Sequence, residues 1–265
     1  MALRLTPIAP NPAGSFEALY AVAPDDTMSS VARELPHAWE QAPDTAVRTL
    51  RILHFNDLHN HLQGVGEGSV ETPILSSIVR CYRERRRAAP ADEVVLLLSG
   101  GDDHTGSPLD ELLGWNEDEF VIDPAYAAYS AAGVDVAALG NHDLDRGSGV
   151  LAAGIRRDAK FPILSANLRG ATSLCEGRDF HPAVVGVAKG LRIGFLGLTT
   201  PIDTRLGTAH DSGLEVVARS QPSLCGWCRL PTSSTSSSSC PTADMGSMNR
   251  RASCHRAPAI SPKAT

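Results

Sequence analysis

Three short clusters hold residue types that bind divalent metal ions. They are Asn56-Asp57-Leu58-His59, Gly100-Gly101-Asp102 and Gly140-Asn141-His142-Asp143-Leu144-Asp145. Carboxylate, imidazole and amide oxygen are borderline-hard donors, suited to zinc, manganese or iron. One carboxylate can bridge two ions ~3.5–4 Å apart, the arrangement used on phosphate esters. Each cluster alone is a weak signal, because Asp-x-His arises by chance. All three in order, each directly after an apolar run, make a strong one. The bland alternative is a set of unrelated polar turns.

The apolar runs must position these residues. Residues 49–55 alternate and then turn apolar, which predicts a strand. The strand expected over 93–98 is apolar from Val94 onward, as a central strand covered on both faces should be. Residues 134–139 read as a third buried strand. Polar side chains just after such strands sit at their carboxyl ends, where open α/β sheets place ligands. Asp57 and His59 lie two apart, so extended chain points them the same way. Gly100 and Gly101 let the backbone come close to an ion. Asp102, Asp103 and His104 are adjacent and cannot all face the metals, so His104 reads as substrate-side or exposed.

Intervening segments fit an alternating strand–helix chain. Apolar spacing predicts a helix over 72–88, whose basic run 83–87 reads as a solvated helix end. A second helix is expected over 123–132, with Asp123 as its cap and Pro124 at its first position. Residues 148–157 read as a short helix and 161–166 as a fourth strand. Asn167 falls near the site without being a ligand. Residues 183–187 and 191–198 predict a hairpin joined by Lys189-Gly190.

His142 reads better as a catalytic group than as a ligand. Asp145, three residues on, can hydrogen-bond its ring, fix the tautomer and favour the imidazolium. A cationic imidazole would stabilise charge developing on a phosphoryl group. A plain metal ligand at His142 and a helix cap at Asp145 are the alternatives. His61 offers a possible third ligand beside Asp57 and His59.

The order Asp57-x-His59, Gly100-Gly101-Asp102, Gly140-Asn141-His142-Asp143 resembles the calcineurin-like metallophosphoesterases. The wording LRILHFNDLHNHL, LLLSGGDDHTGSP, AALGNHDLDRG and FPILSANL resembles their 5'-nucleotidase / UDP-sugar hydrolase branch. The resemblance covers residues 48–217, the first part of that branch's catalytic domain. It implies an α/β four-layer sandwich, two sheets flanked by helices, here truncated. It also implies two divalent ions, zinc or manganese. Asp57 and His59 would hold the first, Asp102 would bridge, and Asn141 would offer its amide oxygen to the second. His142 and Asp145 would be the catalytic pair, and the position of His61 is more often outside the ligand set. The implied reaction is hydrolysis of a small phosphate ester, a nucleotide or a nucleotide-sugar diphosphate, as in nucleotide catabolism. A thiosulfate-ester hydrolase relative shares these motifs and is the rival enzyme reading. A catalytically incompetent fragment is the rival of another class.

The formal charge of −6 argues against a nucleic-acid surface. It is unevenly spread: residues 218–265 carry +5, with Asp244 their single acid, leaving −11 for the rest. Four of the six cysteines also lie in that tail, and Cys81 and Cys175 form no readable disulfide framework. No signal peptide is visible, because prolines and a glycine interrupt the first 30 residues, so a cytoplasmic location is the default. The branch it resembles is usually exported. No stretch is long enough to span a membrane. The oligomeric state is left open.

Two segments fall outside the pattern. Residues 1–47, rich in Pro and Ala, read as a poorly ordered extension with a short helix near 28–34. Residues 218–265 read as a low-complexity, disordered or out-of-frame tail. A lone Cys225-x-x-Cys228 there is half a zinc site at most. Serine codons of the TCN class become NTC when read one frame across, coding Phe, Leu, Ile or Val. The serine-rich run 231–242 then permits an apolar strand ending in Ser-His, a setting the family uses for further metal ligands. His210 and His255 lack that setting, so an incomplete second metal position is expected.

Overall fold

The computed structural model of the chain describes residues 2–25, 48–65, 71–201 and 211–217. All lie in the first of two units, residues 1–226. In chain order the strands are β1 Ala2–Ile8, β2 Ala18–Asp25, β3 Thr49–Phe55, β4 Gly64–Val65, β5 Glu71–Thr72 and β6 Glu93–Ser99. They continue with β7 Val136–Ala138, β8 Ile163–Leu164, β9 Leu168–Arg169, β10 Ala183–Ala188, β11 Leu191–Leu196 and β12 Glu215–Val216. The described α-helices are α1 Ile74–Ala88, α2 Pro124–Ala132 and α3 Gly147–Asp158. No described helix is long and apolar enough to cross a membrane.

Strands β3, β6, β7 and β8 form one parallel sheet in that order. Neighbours in the sheet are neighbours in sequence, so each strand returns through a helix on the same face. Tyr82 of α1, Tyr126 and Tyr129 of α2, and Leu151 of α3 pack on that face against Val95, Leu97 and Ala137. Strand β6 is buried along both faces, as its unbroken apolar run predicts. Its other face meets a second, antiparallel sheet of order β1-β2-β10-β11. Val94 and Leu96 there share a buried core with Leu19 and Val184. The described residues therefore make three layers, helices, parallel sheet and antiparallel sheet, of an α/β sandwich. The β10–β11 hairpin turns at Lys189 and Gly190, both with positive φ (47° and 78°), as a two-residue primed turn requires.

The expectation of a poorly ordered segment over 1–47 fails for residues 2–25. They form β1 and β2, and β2 pairs with β10. Proline misleads here: Pro7 lies in β1, an outer strand, the place in a sheet where proline is tolerated. The loop that follows is fastened to the parallel-sheet layer. Asn11 donates to the carbonyls of Ser130 (3.1 Å) and Val134 (2.9 Å). Arg86 donates to those of Ala13 (2.7 Å) and Gly14 (2.6 Å), so this arginine of the basic run is a clamp rather than a solvated end. The helix expected near 28–34 and the whole 218–265 tail lie outside the described residues.

Asp135 completes that fastening. Its buried carboxylate accepts from the amides of Ser15 and Leu97. Burial pushes its pKa up to about 6, against the pull of those amides and Arg86. A carboxyl whose folded value lies above its unfolded one stabilises fully below about pH 4 and loses that contribution as pH rises through about 6. The stability advantage of the parent over Asp135→Asn should thus shrink across that window by on the order of 3 kcal/mol. Urea unfolding at a series of pH values measures this, and a pH-independent difference would contradict it.

Candidate metal centre

Three loops leave the carboxyl ends of β3, β6 and β7 side by side. Backbone pairing runs on past the strands. Gly100 N–H donates to Phe55 (2.8 Å), Asp57 to Gly101 (3.0 Å), His59 to Asp102 (3.0 Å) and Asn60 to Asp103 (2.7 Å). The third loop presses against the second at two glycines. A Cβ on Gly101 would lie 2.5 Å from the Gly140 nitrogen, and one on Gly140 would lie 2.2 Å from the Asp102 nitrogen. No side chain fits at either place, which is why this motif needs glycine there.

The loops bring Asp57, His59 and Asp102 together, with one ligand atom from each within 4.8 Å of the others. The His59 Nδ1 faces the carbonyls of His104 (3.1 Å) and Thr105 (2.7 Å). Carbonyls only accept, so Nδ1 carries the proton and Nε2 keeps its lone pair for an ion. The His142 amide donates to Asp102 Oδ1 at 3.0 Å. Asn141, buried, occupies the same turn beside it. His61 is exposed and does not belong to the trio.

The trio's electrostatics fit a divalent cation. Burial raises the Asp102 pKa, and the charges of Asp143 and Asp57 add to it, against the hydrogen bond and charge of His142. A cation among these carboxylates would offset that repulsion. The backbone is also held in costly conformations here. Asp57, His59, Asn60, Asp102 and Thr105 all have positive φ, between 48° and 65°. Such residues cost roughly 1–3 kcal/mol each and persist where the surroundings over-determine them.

Asp110 is one source of that constraint. Its carboxylate accepts from Asn60 Nδ2 (2.6 Å) and from the amides of Gly106 (2.6 Å), Ser107 (2.9 Å) and Thr105 (3.2 Å). It thereby ties the loop after β3 to the loop after β6. Ser107-x-x-Asp110 is a capping box, so this role was partly visible in the sequence.

His142 and Asp145 meet as their spacing suggests, Nδ1 to Oδ2 at 2.8 Å. The His142 ring lies 5.1 Å from that of His59 and is partly open to solvent. Burial pulls its pKa down, but the hydrogen bond and charge of Asp145, with Asp102 and Asp143, prevail and raise it. The pair can therefore present a cationic imidazole beside the trio.

The expectation that His104 is exposed or faces substrate is wrong. His104 is buried, with Nε2 2.9 Å from Asp123 and Nδ1 3.0 Å from Asp143. Its ring lies beneath the loops, between the Asp123 cap of α2 and the Asp143 turn after β7. Burial disfavours its charge, yet the two carboxylates hold its pKa well above the ordinary value. Its neighbour Asp103 is equally buried and accepts from Ser99 Oγ (2.8 Å) and Tyr129 Oη (2.8 Å). Burial and the charge of Asp143 push its pKa up to about 8. Asp143 had no role in the sequence reading, and nothing local in the chain distinguishes it from an exposed turn acid. Asn167 is a fastening residue, donating to the carbonyls of Thr199 (2.8 Å) and Val217 (3.0 Å).

No family model matches the chain. The 5'-nucleotidase of Vibrio parahaemolyticus is 32% identical over 188 residues, which are 71% of this chain and 31% of that protein. The crystal structure of a 5'-nucleotidase precursor from Thermus thermophilus superposes with a TM-score of 0.50 at 27% identity, over 64% of this chain and 32% of the other. Over the matched residues the chain belongs to the N-terminal catalytic domain of the 5'-nucleotidase / UDP-sugar hydrolase branch. The calcineurin-like phosphoesterase YfkN of Bacillus subtilis shares the fold, with a TM-score of 0.51 at 24% identity over 63% of this chain and 53% of that one. The chain spans about three-tenths of the length of the curated relatives it matches. In this 5'-nucleotidase-branch chain the trio is the one His/Cys/Asp/Glu group of metal-binding geometry among the described residues. His210 and His255 lie outside them.

Proposed function

We propose that this chain belongs to a divalent-metal-dependent phosphoester hydrolase acting on nucleotides or nucleotide-sugar diphosphates. The convergence of Asp57, His59 and Asp102 at the strand ends, with His142 alongside, carries this reading. Asp57 and His59 would hold one ion, Asp102 would lie between two, and the Asn141 amide oxygen would serve the second. Zinc and manganese both suit this donor set. Ions bound here would neutralise phosphate charge and make a water acidic enough to react near neutral pH.

The chain's own residues do the rest. His142, held in one orientation by Asp145, lies beside the trio, where its Nε2–H would donate a hydrogen bond to a phosphoryl oxygen or its proton to the departing oxygen. The loop glycines let a phosphate approach the backbone closely. The test is hydrolysis of a nucleoside monophosphate, a nucleotide-sugar and a thiosulfate ester by the purified protein, with added manganese or zinc. Metal-dependent release of phosphate from the monophosphate, or of a nucleoside monophosphate and a sugar phosphate from the nucleotide-sugar, supports the reading, whereas turnover of the sulfur ester alone overturns it.

A second reading rests on the single trio among the described residues. With only Asn141 and a shared Asp102 offered to a second ion, the chain would bind one ion and turn over little. Metal analysis after dialysis separates the two. A stoichiometry near one with negligible hydrolysis favours the second reading, and near two with turnover favours the first.

A further inference from the structure

A line of polar contacts runs beneath the metal loops and takes no part in the chemistry described so far. It begins at Asp143, whose Oδ2 accepts from the Gly140 amide at 2.7 Å. Its Oδ1 accepts from the amides of Asp103 (2.8 Å) and His104 (3.1 Å) and faces His104 Nδ1 at 3.0 Å. One carboxylate thus gathers donors from both the loop that carries Asp102 and the turn that carries Asn141 and His142. The other ring nitrogen of His104 meets Asp123 Oδ2 at 2.9 Å.

Asp123 is a fixed point. Its Oδ1 caps α2 by accepting from the Tyr126 amide at 2.9 Å. Its own amide donates to Asp158 at the end of α3, at 2.8 Å. A Cβ on Gly154 of α3 would lie 2.5 Å from Asp123 Oδ2, so α3 passes directly against this carboxylate. The edge of the Tyr126 ring packs on His104, centroids 4.7 Å apart. The imidazole therefore spans from a rigid helix start to the carboxylate that joins two metal loops.

We propose that His104 is a positioning residue for the metal centre. Its ring anchors Asp143 to Asp123, and Asp143 in turn holds the backbone of Asp102 and that of the Asn141–His142 turn at one separation. Filling the core does not account for it: apolar residues in place of a buried ion cluster are often neutral or stabilising. What the polar line adds is a fixed orientation of the loops, which residues around a metal's ligands typically supply at ten- to a hundred-fold in affinity.

The proposal rests on the metal-centre reading, and the experiment separates the two. Manganese binding is measured by calorimetry on the purified full chain and its variants, at a temperature where circular dichroism shows all of them folded. His104→Phe keeps the ring volume against Tyr126 and removes both hydrogen bonds. Asp123→Asn keeps the helix cap and weakens only the outer anchor. Ile155→Ala, at a buried apolar α3 position that makes none of the line's hydrogen bonds, supplies a comparable loss of stability. We expect His104→Phe to weaken manganese binding about 10- to 100-fold. Asp123→Asn should weaken it by a smaller factor, and Ile155→Ala should leave it unchanged. Affinity in His104→Phe equal to that of the parent, or an equal loss in Ile155→Ala, would overturn the positioning role. Should His104→Phe fail to fold, Asp123→Asn decides, and an unchanged affinity there overturns the role. Failure of the parent itself to bind manganese would instead sink the metal-centre reading.

Discussion

Replacing Asp102 with Ala should abolish metal binding and hydrolysis together. Asp102 faces Asp57 and His59 in the trio and takes the His142 amide on Oδ1. No other described carboxylate can take its place between two ions. Its removal leaves a pair of donors on one loop, and divalent affinity should fall by on the order of 100-fold or more, beyond what loss of a supporting contact costs. The protein should remain folded, because relief of the repulsion around that half-buried carboxyl offsets the lost hydrogen bond. Calorimetric titration with manganese checks the affinity and circular dichroism the fold. Retention of parent-like affinity would remove Asp102 from the centre.

His142→Ala should behave differently. If the ring supplies charge to the phosphoryl group rather than a bond to metal, turnover should drop ~10²–10³-fold while bound metal stays nearly constant. A fall in kcat and in kcat/KM by the same factor is the signature of an interaction made only in the transition state. Asp145→Asn should give a smaller drop in the same parameter, since it alters only the orientation and charge of the ring. Metal content and kinetics measured on one preparation decide this. Loss of an ion in His142→Ala with metal kept in Asp102→Ala would reverse the two roles.

Much of the site was legible because its signals are local. Each ligand cluster follows an apolar run, and strand order in the parallel sheet follows sequence order. The cap at Asp123, the Lys189-Gly190 turn and the His142–Asp145 spacing are all set by neighbours within a few residues. The features that escaped depend on distant partners. Strand β1 contains a proline and is an outer strand, so its composition resembles a loop. Its neighbour β2 is fixed by β10, far along the chain. His104 reads as a substrate-side or exposed histidine until Asp123 and Asp143 close on it from two other elements. Asp103 and Asp143 look like ordinary turn acids for the same reason. Burial of a polar residue is a property of the assembled layers, and no periodicity in its own segment announces it.

The central claim is that Asp57, His59 and Asp102 hold a divalent ion at the carboxyl ends of β3 and β6. A crystal structure of the protein grown with manganese, with anomalous data collected at the metal edge, tests it most directly. The account predicts an anomalous peak within about 2.0–2.3 Å of His59 Nε2 and of one oxygen each from Asp57 and Asp102. It also predicts that His59 Nδ1 stays on the His104 and Thr105 carbonyls. A peak elsewhere, or none at this point with manganese in excess, would contradict it.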